Sequence, residues 1–410
     1  MMFYSLGVCA WRYRIAGLVI TLGITFLVIL MGSHSLESSL KIQEKQRSDQ
    51  RRSPPKGLAL NLLQTRTRSP PLVFLKTHRT GASTVQNLLF RMGEKDMATF
   101  AFPRQGFHFS YPNKFQIEFV DELPSGSEYF DILSSSLRFD VSQLKTLMPS
   151  DPVFITILRD PVHTFESIFA YYSSSIPAFT TAKLTSTNKT ALSAFLDSPE
   201  MFWDPNIPKN GLAKNPMTFD LGLNNHVWNS SWPADLAFLE ENFNLVMIAE
   251  YFDESLILLG ALLNLELEEL AYVRLNCRAV KDIHPLHKET KSKIKVWNNL
   301  DVLLYEYFKQ IFLEKAKQYG WQRLQKEVKM LRLSTERIRE KCLARRAVAP
   351  EELEDLVRPW QTNSLTILGY EVHANLTKQE QGFCLRLVLP EHQYHAHLYY
   401  QLYGREIKAG

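Results

Sequence analysis

A chain of 410 residues, 45% hydrophobic and 12% aromatic, carries an ordinary globular composition with ample material for a core, which excludes a disordered or fibrous polymer. A net charge of +4 is too small to argue for nucleic acid as a partner. Four cysteines, Cys9, Cys277, Cys342 and Cys384, are too few for a disulfide-built scaffold and show no metal-ligand spacing.

Residues 15–32 form an uncharged apolar run, preceded by Trp11, Arg12, Tyr13 and Arg14. That length suffices for one membrane helix, and the flanking aromatics and arginines suit an interface and a cytosolic end. The run is long for a signal peptide, and Gly32-Ser33-His34-Ser35 is a poor cleavage site, so an uncleaved signal-anchor is expected. Lys41, Lys45 and Arg47 on the far side weaken the charge argument for orientation. The bulk of the chain lies beyond the anchor, which suits a type II protein: residues 1–14 a cytosolic tail, 33–70 a stem, 71–410 a lumenal domain. The stem reading rests on polar composition punctuated by Ser53-Pro54-Pro55 and Ser69-Pro70-Pro71.

Three glycosylation sequons begin at Asn188, Asn229 and Asn375, each weak alone but consistent with a secretory lumen. Cysteines can oxidise there. Cys342 and Cys384 are the expected pair, with Cys9 on the cytosolic side and Cys277 a buried free thiol.

The globular part opens with an apolar stretch, Leu72-Val73-Phe74-Leu75, that reads as a buried parallel strand. It turns into Lys76, Thr77, His78, Arg79, Thr80, Gly81, Ala82, Ser83 and Thr84, after which Val85, Leu88, Leu89 and Met92 mark one helix face. Strand, polar turn and helix N-terminus make an anion cradle, with free backbone N–H groups and donors from Arg79, Ser83 and Thr84. An ordinary basic βα turn is the alternative. The G-x-x-x-x-G-K-[ST] triphosphate loop is absent, so the phosphate would be held without a metal.

Phe130 to Leu133 reads as a strand leaving through Ser134-Ser135-Ser136. A second apolar strand, Val153 to Leu158, ends at Arg159, and Pro161 starts a helix bearing Phe165, Ile168, Phe169 and Tyr172 on its apolar side. Arg159 and Ser167 could converge on one phosphate, the first as a bidentate fork and the second as a donor. A structural ion pair of Arg159 with Asp160 or Glu166 is the alternative, and this stretch alone does not choose. Leu245 to Glu250 is a further strand, followed by a helix with Asp253 and Glu254 in its first turn. Strands alternating with helices imply an α/β fold, a parallel sheet covered by helices. From Leu300 to about Arg346 the chain is helical in propensity with a break at Gly320. His392, His395 and His397 read as helix-face or surface histidines and not as metal ligands.

Both anion loops, in this order and separation, resemble the two signatures of sulfotransferases that use 3′-phosphoadenosine 5′-phosphosulfate. More narrowly, the chain resembles the galactose-3-O-sulfotransferase family of the Golgi. Motifs carrying the resemblance include Phe74-Leu75-Lys76-Thr77-His78, Leu158-Arg159-Asp160-Pro161, Phe219-Asp220-Leu221-Gly222, Glu250-Tyr251-Phe252-Asp253 and Pro359-Trp360-Gln361. The resemblance spans Leu72 to about Tyr400, and the branch acting on glycoprotein or mucin-type glycans looks nearest. It implies a P-loop-like sulfotransferase fold and transfer of a sulfuryl group to the 3-hydroxyl of terminal β-galactose on glycolipid or glycoprotein glycans. It implies a donor site built from Lys76, Thr77, Arg79, Thr80, Gly81, Ala82, Ser83, Thr84, Arg159 and Ser167, with Arg79 and His78 as catalytic candidates and no metal. Golgi membrane residence follows from the same resemblance, and a homodimer is compatible with it.

Two departures bear on the chemistry. The family reads Lys-Thr-His-Lys-Thr where this chain has Lys76-Thr77-His78-Arg79-Thr80, so an arginine replaces the expected catalytic lysine. The family also carries Asn-His where Ser135-Ser136 stand, which leaves His78 or Glu166 to act as base. These substitutions motivate a rival expectation, an impaired relative that binds nucleotide or glycan as a partner. A nucleotide-dependent kinase is the least supported reading.

Overall fold

The computed structural model describes residues 70–187, 189–226 and 228–408. The chain divides into Met1–Gln64 and Thr65–Gly410, and all that is described belongs to the second unit. The expected tail, the anchor at 15–32, the stem up to residue 69, Cys9 and Asn188 lie outside the described residues. Among the described residues no helix is long and apolar enough to cross a membrane.

Five parallel strands form the main sheet: β1 (Leu72–Leu75), β2 (Phe100–Ala101), β3 (Ile132–Leu133), β4 (Val153–Leu158) and β5 (Leu245–Ile248), in the order β2-β3-β1-β4-β5. The four side chains of β1 are fully buried, as an interior parallel strand requires. β1 is flanked by β3 on one edge and β4 on the other, so the strand order reverses there. Open α/β sheets place ligands beyond the carboxyl ends of strands at such a switch point. The register Leu75↔Thr156 brings the β1 exit loop and the β4 exit beside each other.

Helix α1 (Ala82–Lys95) follows β1 and buries Val85, Leu88, Leu89 and Met92, the face its spacing predicts. Helix α2 (Pro161–Tyr172) follows β4; Pro161 occupies its first turn, where a missing N–H costs nothing. The Asp160 side chain caps it, accepting from the N–H groups of Val162 at 3.0 Å and His163 at 3.2 Å. Helix α3 (Phe252–Leu263) follows β5 with Asp253 and Glu254 in its first turn. Helices α4 (Asn299–Tyr319) and α5 (Trp321–Cys342) are separated at Gly320, whose φ of 101° favours glycine.

The helical expectation fails after Cys342. Residues Leu343–Val348 form β7 in a small antiparallel sheet ordered β6-β8-β7, with β6 at Cys277–Arg278 and β8 at Ile367–Val372. Tertiary pairing with β8 overrides local helix propensity here. Cys342 and Cys384 form a disulfide that ties this sheet's edge to helix α6 (Lys378–Val388). The free thiol Cys277 is exposed rather than buried, because the short edge strand β6 presents it to the cleft beside the main sheet. On the last helix, α7 (Glu391–Tyr403), His395 is a helix-face histidine as expected, but on the buried face and not the surface, stacked 4.3 Å from the Phe102 ring. Burial pushes its pKa down to about 3, which keeps the imidazole neutral in that core.

Candidate active site

The loop between β1 and α1 is held by its own threonines. The Thr77 hydroxyl donates to the Ile157 carbonyl of β4, and Thr80 Oγ1 donates to the Thr77 carbonyl at 3.1 Å. Thr84 Oγ1 accepts the Leu275 N–H at 3.1 Å. Thr77, Thr80 and Thr84 are all buried, so their hydroxyls shape the loop rather than face a ligand. Of the sequence-predicted donor-site residues, Lys76, Thr77, Arg79, Gly81, Ala82, Ser83, Arg159 and Ser167 line one cleft of about 750 Å³, and His78 lines it with them. Gly81 caps α1 at φ 91° with no side-chain cap, and Gly81, Ala82 and Ser83 at that helix start line the cleft.

Arg79 sits at φ 60°, a left-handed conformation uncommon for a residue with a side chain. Several contacts hold it there. Its Nε donates to Ser167 Oγ at 3.0 Å, and its guanidinium lies 4.4 Å over the Tyr171 ring. An Arg159 guanidinium N–H donates to the Arg79 carbonyl at 3.0 Å. The two loops that the sequence singles out therefore meet side chain to side chain and side chain to backbone.

The ion-pair alternative for Arg159 does not hold. Glu166 forms a bidentate pair with Arg278 of β6, one N–H···O of 2.8 Å, and Asp160 caps α2. The same pairing engages the carboxylate of Glu166, which makes it a poor substitute base. Burial lowers the Arg79 and Arg159 pKa values; neighbouring arginines reinforce the effect on both. Three guanidinium groups near one carboxylate suit a dianionic ligand.

On the same loop, next to Arg79, His78 is fixed by Asp220 from the short helix Pro216–Asp220. The His78 backbone N–H donates to Asp220 Oδ2 at 2.8 Å, and His78 Nδ1 lies 3.0 Å from the same carboxylate. The Tyr111 hydroxyl donates to Asp220 Oδ1 at 2.7 Å. Burial, followed by the Asp220 charge, pushes the Tyr111 phenol well up, so it stays protonated and donates. Lys76 forms an ion pair with Glu391 at the start of α7. Burial pushes the Glu391 carboxyl up, but the Lys76 charge and hydrogen bond outweigh it and hold it low. Ser136 lines the cleft beside His108, with which it forms a parallel β-bridge.

Sequence reasoning missed Asp220, Tyr111 and Arg278 as site residues. Asp220 stands in the Phe219-Asp220-Leu221-Gly222 motif, a signal that was present. Tyr111 and Arg278 carried none, since long-range folding alone brings them in. Asn229 and Asn375 are both exposed. Among the described residues no group of three or more His, Cys, Asp or Glu is arranged to hold a metal ion.

The galactose-3-O-sulfotransferase family profile matches residues 9–402. The chain belongs to the galactose-3-O-sulfotransferase family. It is accordingly a sulfotransferase enzyme. Galactosylceramide sulfotransferase of Homo sapiens is 38% identical over 328 residues, covering 79% of this chain and 76% of that protein. Galactose-3-O-sulfotransferase 2 of Sus scrofa is 35% identical over 356 residues, covering 84% and 88%. Galactose-3-O-sulfotransferase 3 of Bos taurus is 36% identical over 347 residues, covering 80% and 79%. These identities do not single out one branch of the family.

Proposed function

We propose that this sulfotransferase moves the sulfuryl group of 3′-phosphoadenosine 5′-phosphosulfate onto the 3-hydroxyl of a terminal β-galactose, on glycolipid or glycoprotein glycans. The observation that carries the reading is the meeting of Arg79 with Ser167 and Arg159 in one cleft. The donor has two anionic ends, a 5′-phosphosulfate and a 3′-phosphate, and two cationic sites joined by one cleft fit such a molecule. The first-turn N–H groups of α1, Ser83 and Arg79 take the 5′ end; Arg159 and Ser167 take the 3′ end.

The reaction is an in-line displacement at sulfur. Galactose O3 forms a bond to sulfur while the bond from sulfur to the bridging oxygen breaks, and that electron pair leaves on adenosine 3′,5′-bisphosphate. Negative charge grows on the bridging oxygen, where the half-buried Arg79 guanidinium stabilises it without giving up a proton. The sugar hydroxyl proton passes to a base, for which His78 is the best-placed group. Arg79 keeps the charge of the lysine it replaces, and its contacts with Ser167 and Tyr171 hold it at the loop apex. That placement favours an active enzyme over an impaired binding partner.

The setting belongs to the same proposal: residues 15–32 span the Golgi membrane as a signal-anchor, and the catalytic domain is lumenal. Exposed sequons at Asn229 and Asn375 and the Cys342–Cys384 disulfide support an oxidising secretory lumen. Incubating the full-length chain with labelled donor and a galactose-terminated glycan tests the reading. Incorporation with release of adenosine 3′,5′-bisphosphate is expected, and no incorporation into any galactose-terminated acceptor overturns it.

A further inference from the structure

We propose that Asp220 is a positioning residue that fixes His78 as the acceptor of the sugar hydroxyl proton, an inference that rests on the sulfuryl-transfer reading above. One carboxylate takes hold of both ends of the same residue: the His78 backbone N–H at 2.8 Å and the His78 ring at Nδ1, 3.0 Å away. A contact serving only to shape the loop needs the backbone bond alone; the ring contact sets the rotamer and the tautomer as well. An ionised carboxylate can only accept, so Nδ1 must carry its hydrogen, and Nε2 is left with the lone pair. Nε2 has no hydrogen-bond partner among the described residues, and His78 lines the cleft next to Arg79.

The support behind Asp220 is unusually deep. Its side chain is 1% exposed, and Tyr111 donates a third hydrogen bond to it at 2.7 Å. The helix Pro216–Asp220 is held in turn by the buried Asp301 of α4. Asp301 accepts from the N–H groups of Met217 at 3.0 Å and Thr218 at 2.8 Å, and from the Thr218 hydroxyl at 2.7 Å. The His78 ring is confined by the rings of Tyr111 at 4.7 Å and Tyr172 at 5.9 Å. Charged or titratable groups facing this pair are Tyr111, Tyr172 and His108, with Arg138 and the buried Asp301 carboxyl acting on Asp220.

In the transfer step the acceptor hydroxyl gives its proton to His78 Nε2 as its oxygen bonds to sulfur. The bridging S–O bond breaks, and its electron pair departs on the nucleotide bisphosphate. The resulting imidazolium keeps its Nδ1–H on Asp220 and later passes the new proton to solvent. Asp220 stabilises that imidazolium without itself being protonated.

The test compares kcat and KM of the full-length chain with those of Asp220→Asn, with adenosine 3′,5′-bisphosphate binding as the measure of folding. An amide in place of the carboxylate can donate to Nδ1 and stabilise the unproductive tautomer. The expected result is a kcat loss of about 10²–10⁴-fold with both KM values and nucleotide binding little changed. A fall in kcat at unchanged KM separates this role from a purely structural one, which would weaken substrate and nucleotide binding as well. In a His78→Ala background, Asp220→Asn should cost no more than about twofold further. If Asp220→Asn does not fold, Tyr111→Phe takes its place, with an expected kcat loss of about tenfold or more at unchanged nucleotide binding. An active wild type whose kcat survives in the folded variant overturns the role of Asp220 alone. A wild type that binds nucleotide but transfers nothing to galactose overturns the reaction reading, and this inference with it.

Discussion

Arg79 Nε donates to Ser167 Oγ at 3.0 Å, joining two side chains 88 positions apart in sequence. The register of β1 on β4 makes the contact geometrically natural, because it sets the two exit loops side by side. Arg79 has a left-handed backbone, lines the cleft, and is held there by Ser167 and the Tyr171 ring. In this way one hydrogen bond links the two halves of an anion site.

Replacing Arg79 separates charge from shape. Arg79→Ala should lower kcat for sulfuryl transfer by about 10²–10³-fold, the usual cost of deleting one group that stabilises developing negative charge. Arg79→Lys should stay within about tenfold of wild type, since it keeps the charge. Steady-state assays with labelled donor check both; equal losses in the two variants would show that charge is not what the position supplies.

Beside Arg79 in the same cleft, Arg159→Ala should weaken adenosine 3′,5′-bisphosphate binding by about 10–100-fold and Ser167→Ala by about tenfold, because each loses a proposed hydrogen bond to a charged phosphate. Calorimetry gives both constants. The effect should be much smaller for adenosine 5′-phosphate, which lacks the group they are proposed to hold.

How far these features could be read in advance depended on how local they were. The β1 run Leu72–Leu75, the apolar face of α1 and Pro161 at the start of α2 are set by short-range pattern, and each stands where the spacing put it. For Arg159 the local stretch left a phosphate site and an ion pair with Asp160 or Glu166 equally open, and only the folded contacts, Arg159 on the Arg79 carbonyl and Glu166 on Arg278, decide between them. Pairings across long sequence distance were not legible. Glu166 turned to Arg278 and His78 to Asp220 through folding that no local window encodes. Leu343–Val348 became a strand because β8 was waiting to pair with it, and His395 was drawn into the core by Phe102.

Asp301 gives stability a pH dependence. Burial raises its pKa from 3.8 to about 7, against the opposing pull of its hydrogen bonds to Thr218 and Met217. A carboxyl with a folded pKa above its unfolded one favours the fold fully below pH 3.8, and that contribution is lost as pH rises through about 7. Within that window the slope can reach about 1.4 kcal/mol per pH unit. Asp301→Asn cannot ionise, so the Tm of wild type should fall relative to the variant between pH 5 and pH 8. Thermal scans across that range check it, and a constant gap would refute it.

The Cys342–Cys384 bond closes a sequence separation of 42 residues. Loop-closure entropy assigns it about 4 kcal/mol. The double variant Cys342→Ser, Cys384→Ser should lose stability of that order in urea while keeping nucleotide affinity, because the bond lies in the small antiparallel sheet and α6 rather than on the cleft wall. Unchanged unfolding midpoints would contradict the expectation.

The most direct measurement follows labelled sulfate from 3′-phosphoadenosine 5′-phosphosulfate into a glycan ending in β-galactose, using the full-length chain and mapping the linkage of the product. The predicted result is sulfate on the galactose 3-hydroxyl, with one adenosine 3′,5′-bisphosphate released per group transferred. Label that never reaches galactose, or that settles on a different hydroxyl, would contradict it.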